Sequence, residues 1–150
     1  LITKTGGNIH DNSTIEVTTN YLESSNPPKN LLDFNTETYF LASKSNDAWI
    51  CFDFKNYRVK LTKYSIKSYK DGVNKYHLKN WVIEESNDGK NWEIIDEREN
   101  CDTLNGNCIN GSFEAKSNKE SHYIRLRQTG ELWGIGRMWF HYIEFYGLLK

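Results

Sequence analysis

Short apolar runs, each closed off by turn-forming residues, recur along most of this 150-residue chain. They are Leu31–Leu32, Tyr39–Ala42, Trp49–Phe54, Val59–Tyr69, Trp81–Glu85, Trp92–Asp96, Ile109–Phe113, Tyr123–Arg127 and Trp139–Tyr146. No long helix-forming stretch interrupts them, and Ala and Met are scarce while five Trp and nine Tyr are present. Short β-branched and aromatic runs at this spacing predict an all-β sandwich or barrel of about eight strands. From Leu1 to about Pro28 the chain is polar and turn-rich, and neither a repeat nor a domain boundary is visible. A single monomeric domain over residues 1–150, cut from a longer chain, is expected.

Alternation within the runs assigns faces. In Trp49–Phe54, Ile50, Phe52 and Phe54 share one side; in Tyr123–Arg127, Ile124 and Leu126 do. Parity breaks in the run from Val59: Val59 and Leu61 are odd, Tyr64 and Ile66 even. A bulge or bend near Thr62–Lys63 is therefore expected. The stretch ESNDGKNWEIID places Asn87-Asp88-Gly89 between two apolar runs and predicts a hairpin. Centring the turn on Asp88-Gly89 sets Ile83 opposite Ile94 and Trp92 opposite Glu85. Trp81, Ile83, Trp92 and Ile94 then share a core face, and Glu84 meets Glu93 on the solvent side. That register makes Trp92 architectural.

Charge is balanced, with 19 Lys+Arg against 20 Asp+Glu. A nucleic-acid protein normally shows a basic excess, so none is expected as a partner. There is no 18-residue apolar run to span a membrane, and Leu1–His10 lacks the apolar region of a signal peptide. Cys51, Cys101 and Cys108 make an odd count, unlike a secreted disulfide framework. We therefore expect a reducing, cytoplasmic setting. The Cys101-x6-Cys108 spacing would still permit one loop disulfide, and Cys51 reads as a small buried hydrophobe.

The ordered segments LLDFNTETYF, AWICFDF, KYSIKSY, WVIEESNDGKNWEIID, HYIRLRQTG and IEFYG resemble the coagulation factor V/VIII type C family, the discoidin or galactose-binding-like domains. The resemblance runs from about Leu31 to Gly147 and is nearest to intracellular forms of single-celled eukaryotes. It implies a discoidin-like jelly-roll β-sandwich of about eight antiparallel strands, a non-catalytic module that binds ligands through loops at one end. The terminal cysteine pair of secreted members is absent. Phe40 stands where that family usually has tryptophan.

Catalytic patterns are missing. Glu84-Glu85 and Asp96-Glu97 are strand neighbours that face opposite sides, not a facing acid and base. His10, His77, His122 and His141 show no short ligand spacing. The family resemblance extends to a calcium loop: Asp33, Asn35 and Thr38 fit D-x-N-x-x-T, with Glu144 completing a structural site. Oxygen ligands of this kind suit a hard cation. A hydrogen-bonded Asp–Thr turn, with Glu144 paired to a side-chain cation, accounts for the same residues without metal. Beyond that conditional calcium no cofactor is required.

The expected binding loops are Leu22–Lys29, Ser43–Ala48, Tyr69–His77 and Glu131–Arg137. They supply Tyr69, Tyr76, His77, Trp133 and Arg137 as candidate ligand-binding residues, because rings beside polar groups suit a sugar ring or a protein hot spot. Trp133 could equally plug the end of the sandwich. The expected partner is a protein or a carbohydrate. A phospholipid surface would need apolar spikes beside Lys or Arg, and YLESSNPPK offers only Tyr21 and Leu22. An accessory role in a glycoside-active enzyme is the remaining alternative.

Overall fold

The period-two runs become strands, and their inward residues meet between two sheets. The computed structural model describes residues 15–20, 40–41, 47–134 and 137–150. Among these lie nine strands and no helix: β1 (Glu16–Thr19), β2 (Phe40–Leu41), β3 (Trp49–Asp53), β4 (Val59–Ser68), β5 (Trp81–Ser86), β6 (Glu93–Arg98), β7 (Asn110–Glu114), β8 (Tyr123–Gln128) and β9 (Trp139–Leu149). Every pairing is antiparallel, in a five-stranded sheet ordered β1-β3-β8-β5-β6 and a four-stranded sheet ordered β2-β9-β4-β7. This is the sandwich that the alternation predicts and the jelly roll that the family resemblance implies. Strand β1 is an addition, because Glu16–Thr19 carries too little apolar character to stand out from its polar surroundings. The run Leu31–Leu32 lies outside the described residues.

Ile50, Phe52, Ile124, Leu126, Trp81 and Ile83 come inward from one sheet and Leu61, Tyr64, Ile66, Ile143 and Phe145 from the other, all buried. Rings interlock across the gap: Phe145 meets Phe52 edge-on at 4.9 Å, and Trp81 meets Phe113 at 5.2 Å. A bulge does fall between Leu61 and Lys63, where the parity breaks, and returns Tyr64 and Ile66 to the core. A second irregularity, between Lys67 and Ser68, lets Phe140 and Ile143 both point inward from β9.

The hairpin register departs from expectation. Glu85 pairs with Glu93, Glu84 with Ile94 and Ile83 with Asp96, with a bulge between Ile83 and Glu84. Trp92 precedes β6 and is half-buried on the outer face, where the Arg125 guanidinium lies 3.9 Å from its ring centre and Tyr123 meets it edge-on at 6.3 Å. Ile94 is 48% exposed. Neither is a core residue, because the turn is longer than two residues. Asp88 accepts the backbone N–H groups of Lys90 and Asn91 as well as the Asn91 amide, and Ser86 Oγ accepts from Gly89 N. This wide turn shifts the pairing by one residue.

The inner place opposite Ile83 is filled by Asp96 instead. The Trp81 indole donates to Tyr64 Oη at 2.9 Å, and the Tyr64 hydroxyl donates to Asp96 Oδ2 at 2.5 Å. Arg98 Nε donates to the same carboxylate oxygen at 3.0 Å. The chain links β4 to β5 and β6 across the sandwich and satisfies its buried polar groups. Burial, followed by the Asp96 carboxylate, pushes the Tyr64 phenol far above its ordinary range. Glu84, expected in solvent, is buried on the outer face and accepts from Arg125 at 3.3 Å and Arg127 at 2.6 Å. The like-charge contact is Glu85 with Glu93, bridged by Asn118, whose N donates to Glu85 and whose amide donates to Glu93.

Candidate functional site

Strands β4, β6 and β8 end at the same pole, so the loops that follow them gather there. Tyr69, immediately after β4, stacks on Trp139, the first residue of β9, with ring centres 3.8 Å apart and planes at 16°. Tyr76 joins from the β4–β5 loop at 5.7 Å from Trp139. All three rings are half-buried, each retaining some accessible surface. Tyr76 holds a φ of 67°, and Asn74 one of 62°. A bulky residue in the left-handed region is strained, and such strain persists only where the surroundings over-determine it.

Those surroundings are specific. The backbone N–H of Tyr76 donates to Trp133 O at 2.8 Å, and Trp133 N donates to His77 O at 2.9 Å. Asn105 Oδ1 accepts from Asn74 N at 2.7 Å, while its amide donates to Asn74 Oδ1 at 3.0 Å. Gly134 has a φ of +96°, and a Cβ there would lie 2.2 Å from Asn74 O. Three loops are thereby cross-braced around the ring cluster.

The predicted residues divide into two groups. Tyr69 and Tyr76 converge, and Arg137 is exposed nearby in sequence on the β8–β9 loop. His77 is fully buried, its Nε2 2.8 Å from Gly72 O and 3.0 Å from Asp71 O, so it shapes the loop from beneath and presents nothing to a ligand. Trp133 is half-buried: its Nε1 donates to Cys101 O at 2.7 Å, and Lys79 Nζ lies 4.5 Å from its ring centre. It ties the β8–β9 loop to the β6–β7 loop. Sequence reasoning missed Trp139, which reads as the start of an apolar strand. It also missed the Asn74–Asn105 brace, which joins residues 31 apart. The only available signal was the aromatic residue two places after Arg137.

Of the calcium set, Asp33 and Thr38 lie outside the described residues. Glu144 sits on β9 opposite Ser65, and its Oε2 accepts the Tyr146 hydroxyl at 2.7 Å. Among the described residues no group of three or more His, Cys, Asp or Glu is placed to hold a metal. The loop Leu22–Lys29 and most of Ser43–Ala48 also lie outside them. No helix among the described residues is long and apolar enough to cross a membrane. All three cysteines are free.

The F5/8 type C domain profile matches residues 13–145. The chain belongs to the F5/8 type C domain family. Solved structures agree with this at the level of fold. CpGH89CBM32-6 of Clostridium perfringens is 21% identical with a TM-score of 0.70, over 95% of this chain and 100% of the other. CpGH89CBM32-5 of the same organism, solved with GalNAc-β-1,3-galactose, is 14% identical with a TM-score of 0.75, over 95% and 100%. The lectin domain of lectinolysin, solved with Lewis B antigen, is 13% identical with a TM-score of 0.72, over 98% and 99%. A search of curated protein sequences found no match. In this F5/8 type C domain the braced loop pole gathers aromatic side chains that are partly accessible and fixed.

Proposed function

We propose that the domain is a non-catalytic recognition module that binds a carbohydrate on the Tyr69–Tyr76–Trp139 cluster. The observation that carries this reading is a set of accessible rings held rigid by three cross-braced loops, with Tyr76 kept in a strained conformation. Aromatic faces take the C–H face of a sugar, and nearby polar groups orient its hydroxyls. The sugar complexes of CpGH89CBM32-5 and the lectinolysin lectin domain support the ligand class. A glycan array followed by calorimetric titration tests it. Tyr76→Ala should abolish binding to the best array ligand while the melting temperature stays within a few degrees. Retained affinity in that variant sinks the site, and capture of a protein with no glycan hit moves the reading to a protein partner. Trp133→Ala should instead lower the melting temperature, since Trp133 joins two loops.

The three free thiols fit a reducing compartment, as in intracellular members of the family. A calcium ion held by Asp33, Thr38 and Glu144 would pin their loop to β9. Removing it with a chelator would then lower the melting temperature, because an ion bound only to the folded state stabilises it by mass action.

A further inference from the structure

On the outer face of the five-stranded sheet, where β5, β6 and β8 approach the loop pole, lies a groove of about 460 Å³. That is within the usual range for small-ligand sites. Its walls are fixed by one side chain: Asn80 Oδ1 accepts from Asn100 N at 2.9 Å, and the Asn80 amide donates to Glu131 O at 3.0 Å. Ile94, 48% exposed, supplies its apolar surface, and Val82, which also borders it, is buried. Arg127 lines it too. Glu84 takes its Nε–H at 2.6 Å, and among the described residues nothing takes its terminal donors. Glu97 and Glu99 line it as well, and the neighbouring Glu99 carboxyl raises the Glu97 carboxyl above its ordinary value.

The lining selects by chemistry. A wholly apolar ligand would strip water from a guanidinium and two carboxylates without replacing it, which disfavours it. An anionic ligand would meet Glu97, Glu99 and Glu131, and the charges of the two lining cations are already offset by Glu84 and Glu131, which leaves the Arg127 terminal N–H groups to a neutral acceptor. A hydroxyl group donates and accepts at once, so neighbouring hydroxyls can bridge a guanidinium and a carboxylate while the ring's C–H face lies on Ile94. We propose that this groove is a second saccharide subsite, taking a neutral or amine-bearing sugar ring between Arg127 and the Glu97–Glu99 pair. It rests on the carbohydrate reading of the domain but occupies a different surface from the ring cluster. Lys79 lines the groove while its ammonium covers Trp133 on the neighbouring loop.

Titration of the isotope-labelled 150-residue chain with galactose, glucosamine and glucuronate, followed by amide NMR, tests the groove directly. Galactose or glucosamine should shift the amides of Ile94–Asn100 and Thr129–Glu131, and glucuronate should not. The exposed-site variant Ile94→Asp should weaken those shifts about tenfold or more while leaving the Tyr69–Tyr76 response intact. Glu97→Lys should do the same, guarding against a local effect of the first change. Groove amides that stay silent while the loop pole responds overturn the groove alone. Groove shifts with a silent loop pole support it and sink the ring-cluster site. Equal groove shifts with glucuronate overturn the charge argument, and silence at both places overturns both readings.

Discussion

At the scale of single residues, Trp92 shows how far alternation can be trusted. Its place after a glycine turn and near Trp81 in the hairpin pattern argued for the core, yet its ring lies outside against Arg125. An Arg–Trp pair gives an aromatic ring a partner on the sheet surface, and sequence spacing does not distinguish that from a core contact. Trp92→Ala should therefore cost only about 0.5–2 kcal/mol, the worth of a partly desolvated cation–π contact. Trp81→Ala should cost about 3–5 kcal/mol, the range for deleting a large buried aromatic. Urea unfolding of both variants checks the contrast, and equal losses would return Trp92 to the core. Tyr64→Phe removes the hydroxyl that receives Trp81 and donates to Asp96, leaving both without that partner. A loss on the order of 1–3 kcal/mol is expected, measured in the same way.

At the scale of elements, the strands were legible wherever apolar residues alternate without interruption, and the bulge after Leu61 was legible as a parity break. The β5–β6 register was not, because it is set by side chain–backbone bonds from Ser86 and Asp88 that no apolar pattern reports. Donation from the backbone N–H groups of Asn91 and Lys90 holds the Asp88 carboxyl well below the usual carboxylate range. A carboxyl whose folded value is depressed stabilises the fold fully above its unfolded value, near pH 4 or so, and loses that contribution as pH falls further. Asp88→Asn should thus lower stability at neutral pH, and the gap from the parent should shrink steadily below about pH 4. Denaturant midpoints across that window provide the measurement, and a pH-independent gap would rule out the carboxylate as its source.

At the scale of the whole molecule, both layers of the sandwich and the pole that carries the candidate site followed from the order of short runs and the family resemblance. The platform itself did not, because Tyr69, Tyr76 and Trp139 are brought together by loops whose braces cross long stretches of chain. Thiol chemistry separates the inside from the rim: burial pushes the Cys51 thiol up to about 11, whereas Cys101 and Cys108 are half-exposed on the β6–β7 loop. Native protein should give two fast-labelling thiols and a third only on unfolding, and early modification of Cys51 would contradict its burial. Topology also carries a consequence in time. Among the described strands only β5 and β6 are both consecutive in the chain and hydrogen-bonded to each other; β3 with β8 and β4 with β9 must close long loops first. Closing such loops costs entropy before any contact repays it, so folding should take milliseconds to seconds, and the β5–β6 hairpin is the one piece able to form early. Substitutions in the Asp88–Gly89 turn should then slow refolding, while changes along the β4–β9 seam mainly hasten unfolding.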